Sequence, residues 1–132
     1  MTGRALVPGI AEGDALTLAE PLSFWGGLDP TTGAIVDSRH PQSGQVVTGR
    51  VLVMPSGRGS SSSSTVLAEA IRLGTSPAAI VLREPDGILA LGSIVARELY
   101  GAVMPVVIWS GPAPEGRVRI RAERSAISIE RV

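Results

Sequence analysis

Residues 54–74 read MPSGRGSSSSSTVLAEAIRLG: an apolar strand end, a glycine turn Gly57-Arg58-Gly59, five serines from Ser60 to Ser64, then an amphipathic run. This order places backbone N–H groups, a hydroxyl and a guanidinium together at one helix N-terminus, where anions bind and a serine alkoxide is stabilised. Gly57 and Gly59 permit φ > 0 and close approach of a ligand to the backbone. Ser60 is the expected N-cap or near-cap residue. A free serine hydroxyl is a poor base at neutral pH, but aligned N–H groups and Arg58 favour its ionised form, so Ser60 could accept a proton. The plainer alternative is that Ser60 only caps the helix and the other serines solvate its first turn. Five serines are a mild puzzle for that alternative, since serine is a weak helix former. The stretch is neither a Walker loop, lacking the terminal Lys-Ser/Thr, nor a Gly-x-Ser-x-Gly nucleophile elbow.

Other chemistry-bearing residues are few. Phe24-Trp25-Gly26-Gly27 sets an aromatic pair beside two glycines, which suits a docking surface, a cleft wall or local packing. Asp29-Pro30 reads as a turn pair. His40, the single histidine, sits in Arg39-His40-Pro41 and is expected to be a solvated loop residue, with a cleft-facing hydrogen bond as the functional alternative. Arg83-Glu84-Pro85-Asp86 follows a buried strand at the end where α/β sheets place ligands; a surface turn and helix start explain it nearly as well. Arg117, Arg119 and Arg121 alternate and line one strand face, read as a solvent or interface face.

The elements that must position these residues follow from the apolar pattern. Strands are expected at 4–8 and 14–19, split by a turn from Gly9 to Gly13. Residues 21–30 form a loop, 34–37 a short strand, and 38–44 a polar turn. Residues 50–54, 78–82 and 103–109 are buried strands, separated by helices over 61–73 and 88–99. Val66, Leu67, Ala70, Ile71 and Leu73 share one side of the first helix, with Glu69 and Arg72 outward. Residues 118–121 and 126–130 alternate as a terminal hairpin. The middle is therefore strand–helix–strand–helix–strand, fitting parallel strands with crossovers, between β-rich ends.

Composition narrows the class. The 132 residues suffice for one domain with a real core, and 44% are apolar, which marks a globular chain. No run approaches a membrane span. The opening MTGRALVPGIAEG has no secretory apolar stretch, so a cytoplasmic protein is expected. Zero cysteines exclude disulfides and a thiolate-held metal cluster within this chain. Twelve arginines, with no lysine, balance twelve acidic residues; with one tyrosine, this argues against a nucleic-acid surface. Sixteen glycines and ten prolines imply short elements and many turns.

Two longer segments resemble a known family. PLSFWGGLDPTTGAIVD (21–37) is similar to PLSFWGGxDPxTGxIxD of the small subunit, or swivelling domain, of the aconitase X group in the aconitase superfamily. VLVMPSGRGSSSSSTVLAEAIRLGTSPAAIVLREPD (51–86) resembles that group's second signature, and ILALGSIVARELYGAVMPVV (88–107) also fits. The resemblance runs from about Gly13 to Val107. It implies an α/β fold: a swivelling β/β/α domain over residues 1–132, with β-barrel-like sheet layers and two main helices. It implies a hydro-lyase subunit that pairs with a large subunit holding an iron–sulfur cluster and most substrate contacts. The serine after the family's Gly-Arg/Lys-Gly turn is its proton acceptor, here Ser60. Arg58, Gly59 and Ser61 are the expected substrate contacts beside it, and this chain is expected to hold no metal. Two substrates are implied: cis-3-hydroxy-L-proline, dehydrated to Δ1-pyrroline-2-carboxylate, and phosphomevalonate. The archaeal phosphomevalonate turn resembles Gly-Lys-Gly-Ser-Thr-Val-Gly; Gly57-Arg58-Gly59-Ser60, the serine run and Leu82-Arg83-Glu84-Pro85 favour hydroxyproline. A non-catalytic anion-binding module and a purely structural subunit are the rivals from other classes.

Overall fold

The structure, a computed structural model, describes residues 3–132. Its strands are β1 (Gly3–Val7), β2 (Gly9–Thr17), β3 (Leu28–Asp29), β4 (Ala34–Ile35), β5 (Val51–Met54), β6 (Ala79–Leu82), β7 (Val106–Trp109), β8 (Arg117–Ala122) and β9 (Ile127–Arg131). Two full helices, α2 (Ser63–Leu73) and α3 (Gly87–Tyr100), follow an irregular turn, α1 (Phe24–Gly27). No helix among the described residues is long and apolar enough to cross a membrane.

Seven strands share one sheet in the order β1-β7-β6-β5-β2-β8-β9. The centre, β7-β6-β5-β2, is parallel; β1 joins β7, and β8 joins β2 and β9, antiparallel. The sheet curls into a half-barrel. Its two ends meet where the Ala5 N–H donates to the Arg124 carbonyl at 3.4 Å and Gly3 lies against Ile127.

Side chains alternate across a strand, so a strand buried on both faces feeds two cores. Leu52, Met54, Ile80, Leu82 and Val106 face a core shared with Leu67, Ala70, Ile71 and Leu89 of the helices and with Phe24 and Ile35. Val51, Val53, Ala79, Val81 and Val107 face the inside of the curl, where they meet Val118, Ile120 and Ala122 of β8. The result is sheet, sheet and helix in layers: the expected β/β/α domain with a barrel-like sheet.

Four expectations change. Gly9 to Gly13 is no turn but the first half of β2, paired residue for residue with β8. Gly13 belongs there because a Cβ would strike the Gly49 carbonyl, so a neighbouring backbone, not a reversal, demands the glycine. The third core strand starts at Val106, not at Val103, which is exposed. Leu73 ends α2 exposed, while Ala68 is buried in its place. Within the expected 21–30 loop the chain makes α1 and β3, whose partner β4 is two residues rather than four.

Helix ends follow local chemistry. Gly74 and Gly101 adopt φ +78° and +68° and stop α2 and α3 as left-handed C-caps. Gly92 lets the helices close up, since a Cβ there would lie 2.7 Å from the Ser64 carbonyl oxygen. Ser93, fully buried, donates its hydroxyl to the Met104 carbonyl.

On the outer face of β8, Arg119 and Arg117 bind Glu12 of β2 at 2.9 and 3.0 Å, while Arg121 stays exposed. Hydrogen bonds from Arg119 and then Arg117 hold the Glu12 carboxyl below its ordinary 4.5. A depressed carboxylate stabilises the fold above its ordinary value and loses that contribution as pH falls through the folded one. Glu12→Gln is therefore expected to lower the melting temperature slightly near about pH 7 and to make no difference near about pH 2. Thermal melts of both proteins across that range check this.

Candidate active site

Two helix starts converge at one place. β5 ends at Met54, the chain turns through 55–62, and α2 begins; β6 ends at Leu82, and α3 begins after Asp86. Between them lies a cavity of about 150 Å³, lined by Leu22, Phe24, Gly57, Arg58, Gly59, Ser60, Ser63, Asp86, Ile88 and Leu89. That volume is below the roughly 300–1,000 Å³ of sites for drug-sized ligands, so it suits a small metabolite.

Ser60 stands just before the helix. Its Oγ accepts the Ser62 N–H at 3.1 Å, and its carbonyl accepts the Ser63 N–H at 3.0 Å. Ser60 is thus a near-cap residue as expected, and Ser62, the residue next to the helix, makes no side-chain cap. An N–H aimed at a hydroxyl oxygen favours its ionised form. The Ser60 O–H has no acceptor of its own among the described residues.

The two glycines are conditions of this geometry. Gly59 has φ +96°, and a Cβ there would lie 2.6 Å from Ser23 Oγ. Gly57 pairs with Leu22 in a parallel bridge, and a Cβ on it would overlap the Asp86 carboxylate. Arg58, between them, is exposed and makes no ion pair among the described residues, leaving its guanidinium for a ligand.

Of the residues singled out in the sequence, Arg58, Gly59 and Ser60 come together on the cavity wall, with Phe24 fully buried beneath. Ser61 is exposed and stands outside the wall; its carbonyl accepts the Ser64 N–H and O–H. Trp25 is 59% exposed, but its backbone N–H is anchored by the buried Ser63 Oγ at 3.1 Å. His40 is buried rather than solvated: Nε2 lies 3.1 Å from the Glu20 carbonyl, and Nδ1 accepts the Gln42 N–H at 3.0 Å. It pins the 38–44 turn to the chain after β2 and does not line the cavity. Asp29 likewise serves its own turn, its carboxyl held low by hydrogen bonds from Thr31.

Ser63 is the polar wall residue that sequence reasoning did not single out; Asp86 lies on the wall too, in the Arg83-Glu84-Pro85-Asp86 segment expected at the ligand end of the sheet or in a surface turn. Asp86 caps α3, its Oδ1 accepting the Ile88 and Leu89 N–H groups at 2.9 and 3.0 Å. Pro85-Asp86-Gly87 was legible as a helix start, but not its contact with Gly57.

The family described as the aconitase X swivel domain matches residues 1–129. The chain belongs to it. Among its relatives, a cis-3-hydroxy-L-proline dehydratase of Pseudomonas aeruginosa is 53% identical over 103 residues, covering 78% of this chain and 18% of the relative. This chain thus spans under a fifth of that dehydratase. A phosphomevalonate dehydratase small subunit of Pyrococcus furiosus is 37% identical, covering 98% of this chain and 94% of the relative. The crystal structure of Thermococcus kodakaraensis aconitase X in its holo-form superposes with a TM-score of 0.84 at 33% identity, over 98% of this chain and 96% of that one. The half-barrel with two packed helices is therefore the aconitase X swivel fold.

In this swivel domain Gly57→Ala is expected to push Asp86 off its cap and to cost about 1–3 kcal/mol, the usual range for overpacking. Equilibrium urea unfolding of the two proteins measures this; an unchanged midpoint contradicts the packing described.

Proposed function

We propose that this chain is the small, swivelling subunit of a cytoplasmic aconitase X-type hydro-lyase that dehydrates cis-3-hydroxy-L-proline, with Ser60 as the proton acceptor. The observation that carries the reading is the seat of Ser60: a hydroxyl oxygen on a small cavity wall, accepting a backbone N–H, its own proton uncommitted, beside an unpaired arginine.

The chemistry follows from that seat. Ser60, ionised, takes the proton from the substrate α-carbon. The electron pair of that C–H bond forms a double bond to C3, and the C3 hydroxyl leaves as hydroxide and is protonated to water. The enamine then shifts a proton to become Δ1-pyrroline-2-carboxylate. Arg58 holds the substrate carboxylate by charge-assisted hydrogen bonds. Gly59 lets the backbone approach, and Ser61, exposed outside the wall, offers a second hydroxyl to a ligand that extends past it.

An iron–sulfur cluster does not fit this chain. It has no cysteine, and no three His, Asp or Glu side chains among the described residues converge. The cluster belongs in this reading to a large partner subunit, and departure of the hydroxide falls to groups outside this chain. A cavity walled on one side by small-domain residues and open on the other suits a domain that swings onto such a partner.

Hydroxyproline is preferred because identity is 53% over 103 residues to the Pseudomonas dehydratase, against 37% over 130 to the Pyrococcus subunit and 49% over 84 to a phosphomevalonate dehydratase small subunit of Methanopyrus kandleri. Phosphomevalonate is the second reading. It is favoured by the match in extent, since this chain spans nearly all of the Pyrococcus small subunit.

The test is turnover of cis-3-hydroxy-L-proline by this chain assembled anaerobically with its large subunit. Ser60→Ala is expected to lower kcat by about 10²–10⁴-fold or more, as loss of a catalytic base does. Losing the bond to Ser62 costs about 0.5–2 kcal/mol of stability, so fold and assembly persist. A Ser60→Ala pair with normal kcat overturns the assignment.

A further inference from the structure

The cavity carries two opposite charges that do not neutralise each other. Arg58 and Asp86 both line it, and no ion pair joins them. Asp86 spends only one oxygen on its cap: both N–H groups of α3 go to Oδ1. Oδ2 lies against the Cα of Gly57 and accepts no hydrogen bond among the described residues. A cap alone needs no second oxygen; a serine, threonine or asparagine would serve. The place is also unfavourable for a purely anionic ligand, because the carboxylate offsets the positive ends of the helices that start there.

We propose that Asp86 selects the substrate: its Oδ2 binds the protonated ring nitrogen of an α-imino acid whose carboxylate is held by Arg58. The proposal rests on the dehydration reading above and deepens it to a substrate class, zwitterionic cyclic amino acids. A zwitterion satisfies both side chains at once. A phosphorylated hydroxy acid has no cation to offer and meets the Asp86 carboxylate as a like charge. The glycine at 57 is then needed for specificity as well as packing, since any side chain there would cover Oδ2. The ring nitrogen is bonded to the α-carbon that loses its proton, and its positive charge acidifies that C–H bond, so loss of Asp86 raises KM and lowers kcat together.

The test uses the assembled pair and two competitive probes of one shape. L-Proline carries a ring ammonium and a carboxylate; tetrahydro-2-furoate has the carboxylate with an uncharged ring oxygen. Dissociation constants come from calorimetry, or from competition against turnover. The wild-type pair is expected to bind L-proline roughly 10–100-fold tighter, the worth of one hydrogen bond to a charged group. Asp86→Asn keeps a good N-cap and so keeps the helix start. It is expected to erase that preference by weakening L-proline and, with the like charge gone, binding tetrahydro-2-furoate as tightly or more tightly. Equal affinity of the two probes for the wild-type pair overturns the proposal without need of any variant. So does an Asp86→Asn pair that keeps the preference. A wild-type pair that shows the preference yet fails to dehydrate cis-3-hydroxy-L-proline supports the Asp86 assignment and overturns the reaction. A pair that dehydrates it while binding both probes equally does the reverse.

Discussion

At position 57 there is no room for a side chain, because the Asp86 carboxylate occupies the space where a Cβ would be. This contact joins the turn leaving β5 to the start of α3. It brings two segments nearly thirty residues apart in sequence to one wall. The proposed site hangs on it. The Leu22 bridge to Gly57 fixes the arm that buries Phe24, and the same turn delivers Arg58, Gly59 and Ser60 in order. Were the two segments further apart, α2 and α3 would still form, but each would present a separate helix start to solvent, and a lone helix start is a common and unspecific feature.

Under the proposed reading, the Ser60 hydroxyl serves structure and chemistry together. The N–H that it accepts closes the turn before α2, and the same N–H favours negative charge on its oxygen. The choice between a cap and a base, left open by the residues alone, is therefore not a choice between exclusive roles. Arg58 adds positive charge nearby without being consumed by a protein carboxylate.

What could be read from the sequence was what local physics decides. The runs at 51–54 and 79–82 are buried on both faces and have the length of parallel strands. The helical spacing expected over 61–73 and 88–99 marks two helices, which run over 63–73 and 87–100. The misreadings share one cause. Gly9 and Gly13 looked like breakers because sequence does not show that another backbone lies against Gly13. His40 looked solvated because its partners at Glu20 and Gln42 are fixed only once the 38–44 turn folds back. Arg83-Glu84-Pro85-Asp86 stays open in the sequence between a ligand end and a surface turn, because the contact of Asp86 with Gly57 is tertiary. Glycines and polar residues take their meaning from neighbours distant in sequence; apolar periodicity carries its own. The two family segments supplied what periodicity did not, the serine proposed as proton acceptor.

The alternation in β5 has a consequence for how this domain can vary. Val51 and Val53 fill the curl, while Leu52 and Met54 fill the space under the helices. An insertion or deletion of one residue in this strand would exchange the contents of the two interiors, putting valine volume where leucine and methionine are needed. It would also move the start of the glycine turn by about 3.3 Å along the strand, more than the length of a hydrogen bond. The two interiors thus act as a ruler that sets the height of Ser60. A length change is therefore excluded in the four residues of β5 that lead to the glycine turn.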